Sequence, residues 1–385
     1  MRILAVGGGS GGHVTPVVAV LKELRVEKPR AELRFWCDRK FAPQARSIVS
    51  SFDERLRLDT IVAGKLRRYH HLTVWQQLTW PSLVFSNLRD GFLVGVGVIQ
   101  SIAKLVAWRP DVIFTKGGYV CLPVGVAARL LRIPLVIHDS DAHPGLTNRI
   151  LSRWAQTIAT GAPLEHYPYD IQRSHYVGIP IDQRFQPVSA AEQREAKRAY
   201  GVAQDKPLVA VTGGGLGATR INDAIVELLP KLLDDTSVVL VSGAGQFEEL
   251  RDHVPANSES FQLHSFVNDM PVLLAAADVV IARAGATTIL ELAALRKPTI
   301  LIPNAKLTGG HQLKNAAVYE AADAVKIVNE DEMERSTDVL LEAIRDVLAH
   351  PDKSLAMARR FHAFSKPDAA KDMAQLILKT ARRKV

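Results

Sequence analysis

Two cysteines, Cys37 and Cys121, are all the thiols in 385 residues, and aromatic side chains make up 6%. So few cysteines exclude a disulfide framework or a CxxC metal site, and their apolar surroundings read as those of buried structural thiols. No charged lead and apolar signal core open the chain: Met1-Arg2 runs straight into a strand, and a cytosolic location is expected. No stretch reads as a spanning helix, because the uncharged segment Tyr69–Leu88 is broken by Pro81 and many polar residues. Low complexity and short-period repeats are missing too. What remains, 47% hydrophobic and 23% charged residues, is a globular chain long enough for two domains.

The net charge of +8 is uneven. Residues 1–185 hold 24 Lys and Arg against 14 Asp and Glu, or +10; the rest hold 24 against 26, or −2. A basic first half suits nucleic acid or an anionic membrane surface. Within residues 60–110, Lys65, Arg67, Arg68, Arg89, Lys104 and Arg109 face one acid, Asp90, and lie among Trp75, Trp80, Phe85 and Phe92. Basic residues beside aromatics suit a membrane interface.

Two glycine-rich turns punctuate the chain. Arg2–Val6 reads as a buried strand, followed by GGGSGGH at 7–13 and a helix carrying Val14, Val17, Val18, Leu21 and Leu24, with Pro16 tolerable in its first turn. Gly7, Gly9 and Gly12, with Asp38 ending the next strand, formally satisfy a dinucleotide fingerprint. The surplus of glycine and the closing His13 speak instead for a site that handles a hydroxyl proton. The second turn, TGGGLGA at 212–218, follows the strand Leu208–Val211. Between them, strands Asp111–Phe114 and Pro134–Ile137 end in polar residues, and Ile181–Val188 reads as a linker. The stretch Val279–Asn315 is a βαβ unit: strand Val279–Ala282, a turn at 283–286, a helix from Thr287 to Leu295, strand Thr299–Ile302 and a polar loop. The helix start at Ala286-Thr287-Thr288 offers amides to a phosphate, and Glu291 one turn on reaches ribose hydroxyls. The fold class is α/β, with two Rossmann-like domains.

GGGSGGH at 7–13, GGYV at 117–120, PGLTNR at 144–149, FVNDM at 266–270, RAGATTILELAAL at 283–295 and HQLKNA at 311–316 occur in one order across nearly the whole chain. Together they resemble the bacterial UDP-N-acetylglucosamine:lipid I N-acetylglucosaminyltransferases. The resemblance implies a GT-B fold: two Rossmann-like domains facing a cleft, with residues 1–182 for acceptor and membrane and 183–366 for the UDP-sugar. Residues 367–385 are expected to form a C-terminal helix that returns to the N-terminal domain. The partners implied are UDP-N-acetylglucosamine, an undecaprenyl-linked lipid acceptor and the inner face of the cell membrane, where the protein is expected to be peripheral; nucleic acid is not among them. By the same resemblance Glu291 holds ribose, Ala286, Thr287 and Thr288 lie under the diphosphate with Ile289 and Leu290 beside them, and Val267 meets uracil through its backbone. His311, Gln312 and Asn315 form the sugar loop and its anchor. Gly215 belongs to the second glycine turn, and Ser10, Gly11, Gly12 and His13 face the reacting end of the donor.

Such a reaction inverts at the anomeric carbon and needs a base and a stabilised leaving diphosphate. His13 is the expected base and Asp141 its rival. No metal and no cofactor are expected, since Asp139-Ser140-Asp141 matches the Glu-Gln-Asn of the resembled enzymes rather than a metal motif. That substitution, Gly215-Leu216 for Ser-Gln, Thr219 for Arg, the Thr308-Gly309-Gly310 loop and Gly178-Ile179-Pro180-Ile181-Asp182 are departures, and they leave another UDP-sugar or glycolipid acceptor open. A UDP-sugar epimerase on the same fold, a nicotinamide oxidoreductase and a catalytically dead binding module compete with the transferase.

Overall fold

In a computed structural model the chain divides into two compact units, Met1–Asp182 with Lys366–Val385, and Gln183–Ser365. The residues described are 1–8, 11–50, 53, 56–65, 81–140, 144–214, 217–304 and 311–382; for 11–13, 44, 47, 50, 81–83, 166 and 311 the description is of backbone alone.

The first unit alternates strand and helix: β1 (Arg2–Val6), α1 (Gly11–Glu27), β2 (Glu32–Asp38), α2 (Ala42–Ser50), β3 (Arg57–Ile61), α3 (Pro81–Ala107), β4 (Val112–Thr115), α4 (Cys121–Leu130), β5 (Leu135–Asp139), α5 (Leu146–Leu151), β6 (Thr157–Thr160) and β7 (Ser174–Tyr176). The order across the sheet is β3-β2-β1-β4-β5-β6-β7, and the paired strands run parallel. Both faces are covered, as parallel sheets require. On one face Ile3, Ala5, Phe35 and Phe114 pack with Val17 and Leu21 of α1 and with Met373 and Ile377 of the C-terminal helix Ala369–Arg382. That helix is also tied to β6 by a hydrogen bond between Thr380 and Thr157 of 2.8 Å. On the other face Leu4, Trp36 and Ile113 pack with Leu105, Val124 and Leu151.

The second unit opens with α6 (Ala190–Ala199), started by a capping box in which Ser189 and Glu192 exchange side-chain-to-backbone hydrogen bonds. Then follow β8 (Leu208–Thr212), α7 (Thr219–Leu232), β9 (Ser237–Val241), α8 (Phe247–Arg251), β10 (Phe261–His264), α9 (Met270–Ala276), β11 (Val279–Ala282), α10 (Ala286–Leu295), β12 (Thr299–Leu301), α11 (His311–Glu320), β13 (Lys326–Ile327), α12 (Glu330–Arg335), α13 (Asp338–Ala349) and α14 (Pro351–His362). The sheet order is β10-β9-β8-β11-β12-β13, again with parallel pairs.

Two local features differ from the sequence reading. Helix α1 begins at Gly11, so Pro16 lies beyond the first turn and denies the Gly12 carbonyl its helical donor. Pro81 opens a helix rather than breaking one, and α3 runs 27 residues without interruption. By length and composition its segment Val84–Ala107 is apolar enough to cross a membrane; the segment Tyr69–Leu88 stopped short of it. Glycine lets this helix meet the chain after β3 closely: a Cβ on Gly97 would lie 2.1 Å from the Val62 carbonyl oxygen. Gln100 fixes the contact by accepting from the Val62 amide at 2.9 Å. Phe85, Leu88, Phe92, Ile99 and Val106, at helical spacing, remain exposed on α3. Cys37 and Cys121, in agreement with the sequence reading, are buried and free, and burial pushes both thiols up to about 12, so neither is a nucleophile at neutral pH.

Candidate active site

Open parallel sheets bind ligands where the strand order reverses, beyond the carboxyl ends of the strands. In the second unit that point lies between β8 and β11. Ala282 is in register with Thr212, so the glycine turn after β8 and the turn at Arg283 emerge side by side. Gly214 (φ 76°) is left-handed, and its amide donates to Thr212 Oγ1 at 3.1 Å. A Cβ on Gly217 would lie 2.3 Å from the Ser242 carbonyl oxygen, so only glycine fits there. Gly215 lies outside the described residues.

From β11 the chain turns through Gly285, the N-cap of α10, whose φ is −72° and ψ 134° and which provides no side-chain cap. Ala286, Thr287 and Thr288 are half-buried there. The first paired amide is that of Ile289, which donates to Gly285 at 2.9 Å. An uncapped helix start of this kind carries unsatisfied N–H groups and the positive end of the dipole. The side chains of Ile289 and Leu290 are buried, and Glu291 is half-buried one turn on. Asn315 donates from Nδ2 to the Ala284 carbonyl at 3.2 Å, and Gln312 Oε1 accepts from the Asn304 amide at 2.9 Å. Both thus hold the backbone around β11 and β12. His311 begins α11, its side chain outside the description. Val267 is buried after the edge strand β10, with β9 and β8 between it and β11.

In the first unit the reversal lies between β1 and β4, with Val6 in register with Thr115. The glycine turn that leads into α1 and the turn Lys116-Gly117-Gly118 leave from neighbouring strands. Gly117 and Gly118 have φ of 91° and 85°. Gly11, Gly12 and His13 form the start of α1 as backbone; Ser10, Asp141 and the His13 side chain lie outside the described residues. Asp38, the acid of the dinucleotide reading, is engaged by local contacts. Its Oδ1 accepts from the Phe41 amide at 3.0 Å, the Tyr119 hydroxyl hydrogen-bonds to it, and a Cβ on Gly8 would lie 2.6 Å from Oδ2. Asp139 is likewise engaged, accepting from the Tyr169 hydroxyl at 2.6 Å.

Two groups were not singled out from sequence. Lys116 is 2% exposed at the end of β4 and donates to Ser140 Oγ. Neighbouring His138 is fully buried: burial, then the charge of Lys116, hold it well below its ordinary pKa. Its Nε2 donates to the Gly178 carbonyl at 2.7 Å, leaving Nδ1 as the bare nitrogen. The other group is Arg283, whose Nη1 donates to the Ile302 carbonyl at 3.1 Å and whose Nη2 pairs with Glu330. A cation directly after a continuous apolar strand, at a glycine turn, was the available signal for both.

Residues 3–160 match the glycosyltransferase family 28 N-terminal domain and residues 208–373 the family 28 C-terminal domain. A relative from Halalkalibacterium halodurans, named UDP-N-acetylglucosamine--N-acetylmuramyl-(pentapeptide) pyrophosphoryl-undecaprenol N-acetylglucosamine transferase, is 32% identical over 99% of this chain and 100% of its own. The chain belongs to glycosyltransferase family 28. A relative of the same name from Clostridium perfringens is 32% identical over 92% of each chain. Among solved structures, Acinetobacter baumannii MurG superposes with a TM-score of 0.70 at 24% identity, covering 98% of this chain and 99% of that one. A Neisseria meningitidis UDP-GlcNAc 2-epimerase bound to UDP-GlcNAc gives 0.66 at 14% identity, over 98% and 100%. Both likenesses are of fold, the two-domain glycosyltransferase architecture. The family 28 assignment makes the protein a glycosyltransferase and removes the oxidoreductase reading of Gly7, Gly9, Gly12 and Asp38.

Proposed function

We propose that this family 28 enzyme transfers N-acetylglucosamine from UDP-N-acetylglucosamine to the 4-hydroxyl of the muramoyl sugar of an undecaprenyl-diphosphate-linked acceptor, lipid I, to give lipid II for peptidoglycan. The observation that carries the reading is the uncapped start of α10 beside the β8 glycine turn, with Glu291 one turn on. That arrangement suits a nucleoside diphosphate: amides of Ala286, Thr287 and Thr288 for phosphate oxygens, Glu291 for ribose hydroxyls. The full-length relatives carry this donor and acceptor in their name.

In the proposed reaction the acceptor oxygen attacks C1 and the bond from C1 to the diphosphate oxygen breaks. UDP departs with that electron pair, its new charge met by the α10 amides and dipole. The hydroxyl proton passes to His13, at the start of α1, with Asp141 as rival base. Uracil meets the Val267 backbone, and the loop leading to His311 reads the sugar.

The acceptor is anchored in a membrane, so the first unit must meet that surface. The exposed apolar stripe of α3, with Arg89 and Arg109 beside it, supports peripheral binding at the inner face of the cell membrane. The test is UDP release from a panel of UDP-sugars, each with and without undecaprenyl-linked acceptor. Acceptor-dependent release with the N-acetylglucosamine donor is expected. Release with another sugar alone would reassign the donor, and no acceptor-dependent release with any sugar would overturn the proposal.

A further inference from the structure

Lys116 and Ser140 stand at the carboxyl ends of neighbouring strands, β4 and β5, which pair in parallel. Their contact has a direction. An ammonium has donors and no acceptor, so Ser140 Oγ accepts from Lys116 Nζ. The Ser140 proton must then point elsewhere, and among the described residues it meets no acceptor. Lys116 is 2% exposed whereas Ser140 is half-buried, so the cation lies behind the hydroxyl and the hydroxyl fronts the strand ends. The backbone at Ser140 is fixed: the Gly161 amide donates to the Asp139 carbonyl at 2.7 Å, and a Cβ on Gly161 would lie 2.8 Å from the Ser140 carbonyl oxygen. On the Lys116 side, Gly117 and Gly118 turn with positive φ and present backbone without side chains.

A hydroxyl polarised by a buried cation and left with its proton outward is a donor for an oxyanion. We propose that Ser140, polarised by Lys116, binds a phosphate oxygen of the acceptor's diphosphate. This rests on the reading above, in which the first unit receives a polyprenyl-diphosphate acceptor. Ser140 touches substrate, and Lys116 acts through it as a positioning residue. The serine stands in the Asp139-Ser140-Asp141 departure, so the departure acquires a chemical sense: a short hydroxyl set on a lysine.

The experiment compares wild type with Ser140→Ala, Ser140→Thr and Lys116→Met, each checked by thermal melting. Farnesyl diphosphate binding is measured by calorimetry, and KM is measured separately for lipid acceptor and UDP-N-acetylglucosamine. Ser140→Ala should weaken farnesyl diphosphate binding and raise the acceptor KM by about tenfold or more, the worth of one charge-assisted hydrogen bond, with donor KM kept within about twofold. Ser140→Thr, which keeps a hydroxyl, should restore most of the loss. Adding Lys116→Met to Ser140→Ala should bring little further loss, because the two act as one unit. Unchanged farnesyl diphosphate binding in Ser140→Ala overturns the proposal, and so does a donor KM that moves while the acceptor KM does not. If wild type binds farnesyl diphosphate through Ser140 but transfers no sugar to lipid I, the oxyanion site stands and the proposed reaction falls.

Discussion

Arg283 and Glu330 are buried against each other beneath the turn that launches α10, their side chains 9% and 1% exposed. Arg220 joins from α7, 3.2 Å from Glu330 Oε2, and also pairs with Glu334 at 2.7 Å. The network ties the end of β11 directly to the first turn of α12 through Glu330, and to the end of β12 through the Ile302 carbonyl. Removing one partner leaves a buried charge without compensation, so Glu330→Ala should cost about 3–5 kcal/mol. Glu330→Gln, which keeps a hydrogen-bond acceptor, should cost less. Urea unfolding followed in parallel with UDP binding is the check; equal stability of Glu330→Ala and wild type would remove the network from any role in holding the turn.

Glu291 should act on binding rather than on the chemical step. Ribose hydroxyls are held alike before and after the glycosidic bond breaks, so their contacts are uniform. Losing hydrogen bonds to a carboxylate should raise the donor KM of Glu291→Ala by about tenfold to a hundredfold at nearly constant kcat. A fall in kcat with donor KM unchanged would place Glu291 elsewhere in the reaction.

His138 makes the first unit acid-sensitive. Burial and the charge of Lys116 depress its pKa in the folded protein below the ordinary 6.5. The unfolded chain therefore binds the extra proton first as pH falls, and stability present above pH 6.5 is lost towards the folded pKa. The slope from this group is at most about 1.4 kcal/mol per pH unit. Melting temperatures of wild type and His138→Gln, measured from neutral pH downward, should converge as wild type falls more steeply. Parallel curves would show that His138 does not titrate differently in the two states.

Much of this architecture was legible because buried parallel strands are short apolar runs ending in polar turns. RILAV, VIFT, LVAVT and VVIA each announce themselves in this way. Strand β3, RLDTI, is an edge strand with mixed polarity, and β6, TIAT, buries two threonines, so neither follows the apolar rule. Helix α3 was hidden by Pro81 at its start and by Gly91, Gly95 and Gly97 within it, residues that ordinarily weaken a helix. At the site, the motifs marked the polar turns at the strand ends, whereas which turns leave from neighbouring strands follows from the strand order, which no motif encodes. The Lys116–Ser140 and Arg283–Glu330 pairs were not readable, because each joins the end of a strand to a residue on a different element, and no periodicity encodes such a contact.

The α3 stripe makes a separate prediction about location. Each exposed Phe or Ile buried in a lipid surface contributes about 1.5–3 kcal/mol. Phe92→Asp combined with Ile99→Asp should reduce co-sedimentation with anionic vesicles by about a hundredfold or more on that figure. Both side chains are over 70% exposed, at 72% and 71%, so the fold should tolerate the change. Activity towards a short-chain soluble acceptor should persist. Vesicle binding that survives the double substitution would place membrane contact elsewhere.

The choice between His13 and Asp141 turns on what each loss leaves behind. A positioned general base contributes about 10²–10⁴ in rate. If His13 takes the hydroxyl proton, His13→Ala should lower kcat by that factor at saturating donor, while UDP affinity, proposed to rest on α10 and Glu291, should stay as it was. The loss should shrink as pH rises and hydroxide takes over the proton. Asp141→Asn restores the amide usual in the resembled enzymes, so it should retain turnover and change which UDP-sugars are accepted, since a carboxylate accepts hydrogen bonds and an amide also donates them. Near-normal turnover by His13→Ala, with Asp141→Asn inactive, would make Asp141 the base.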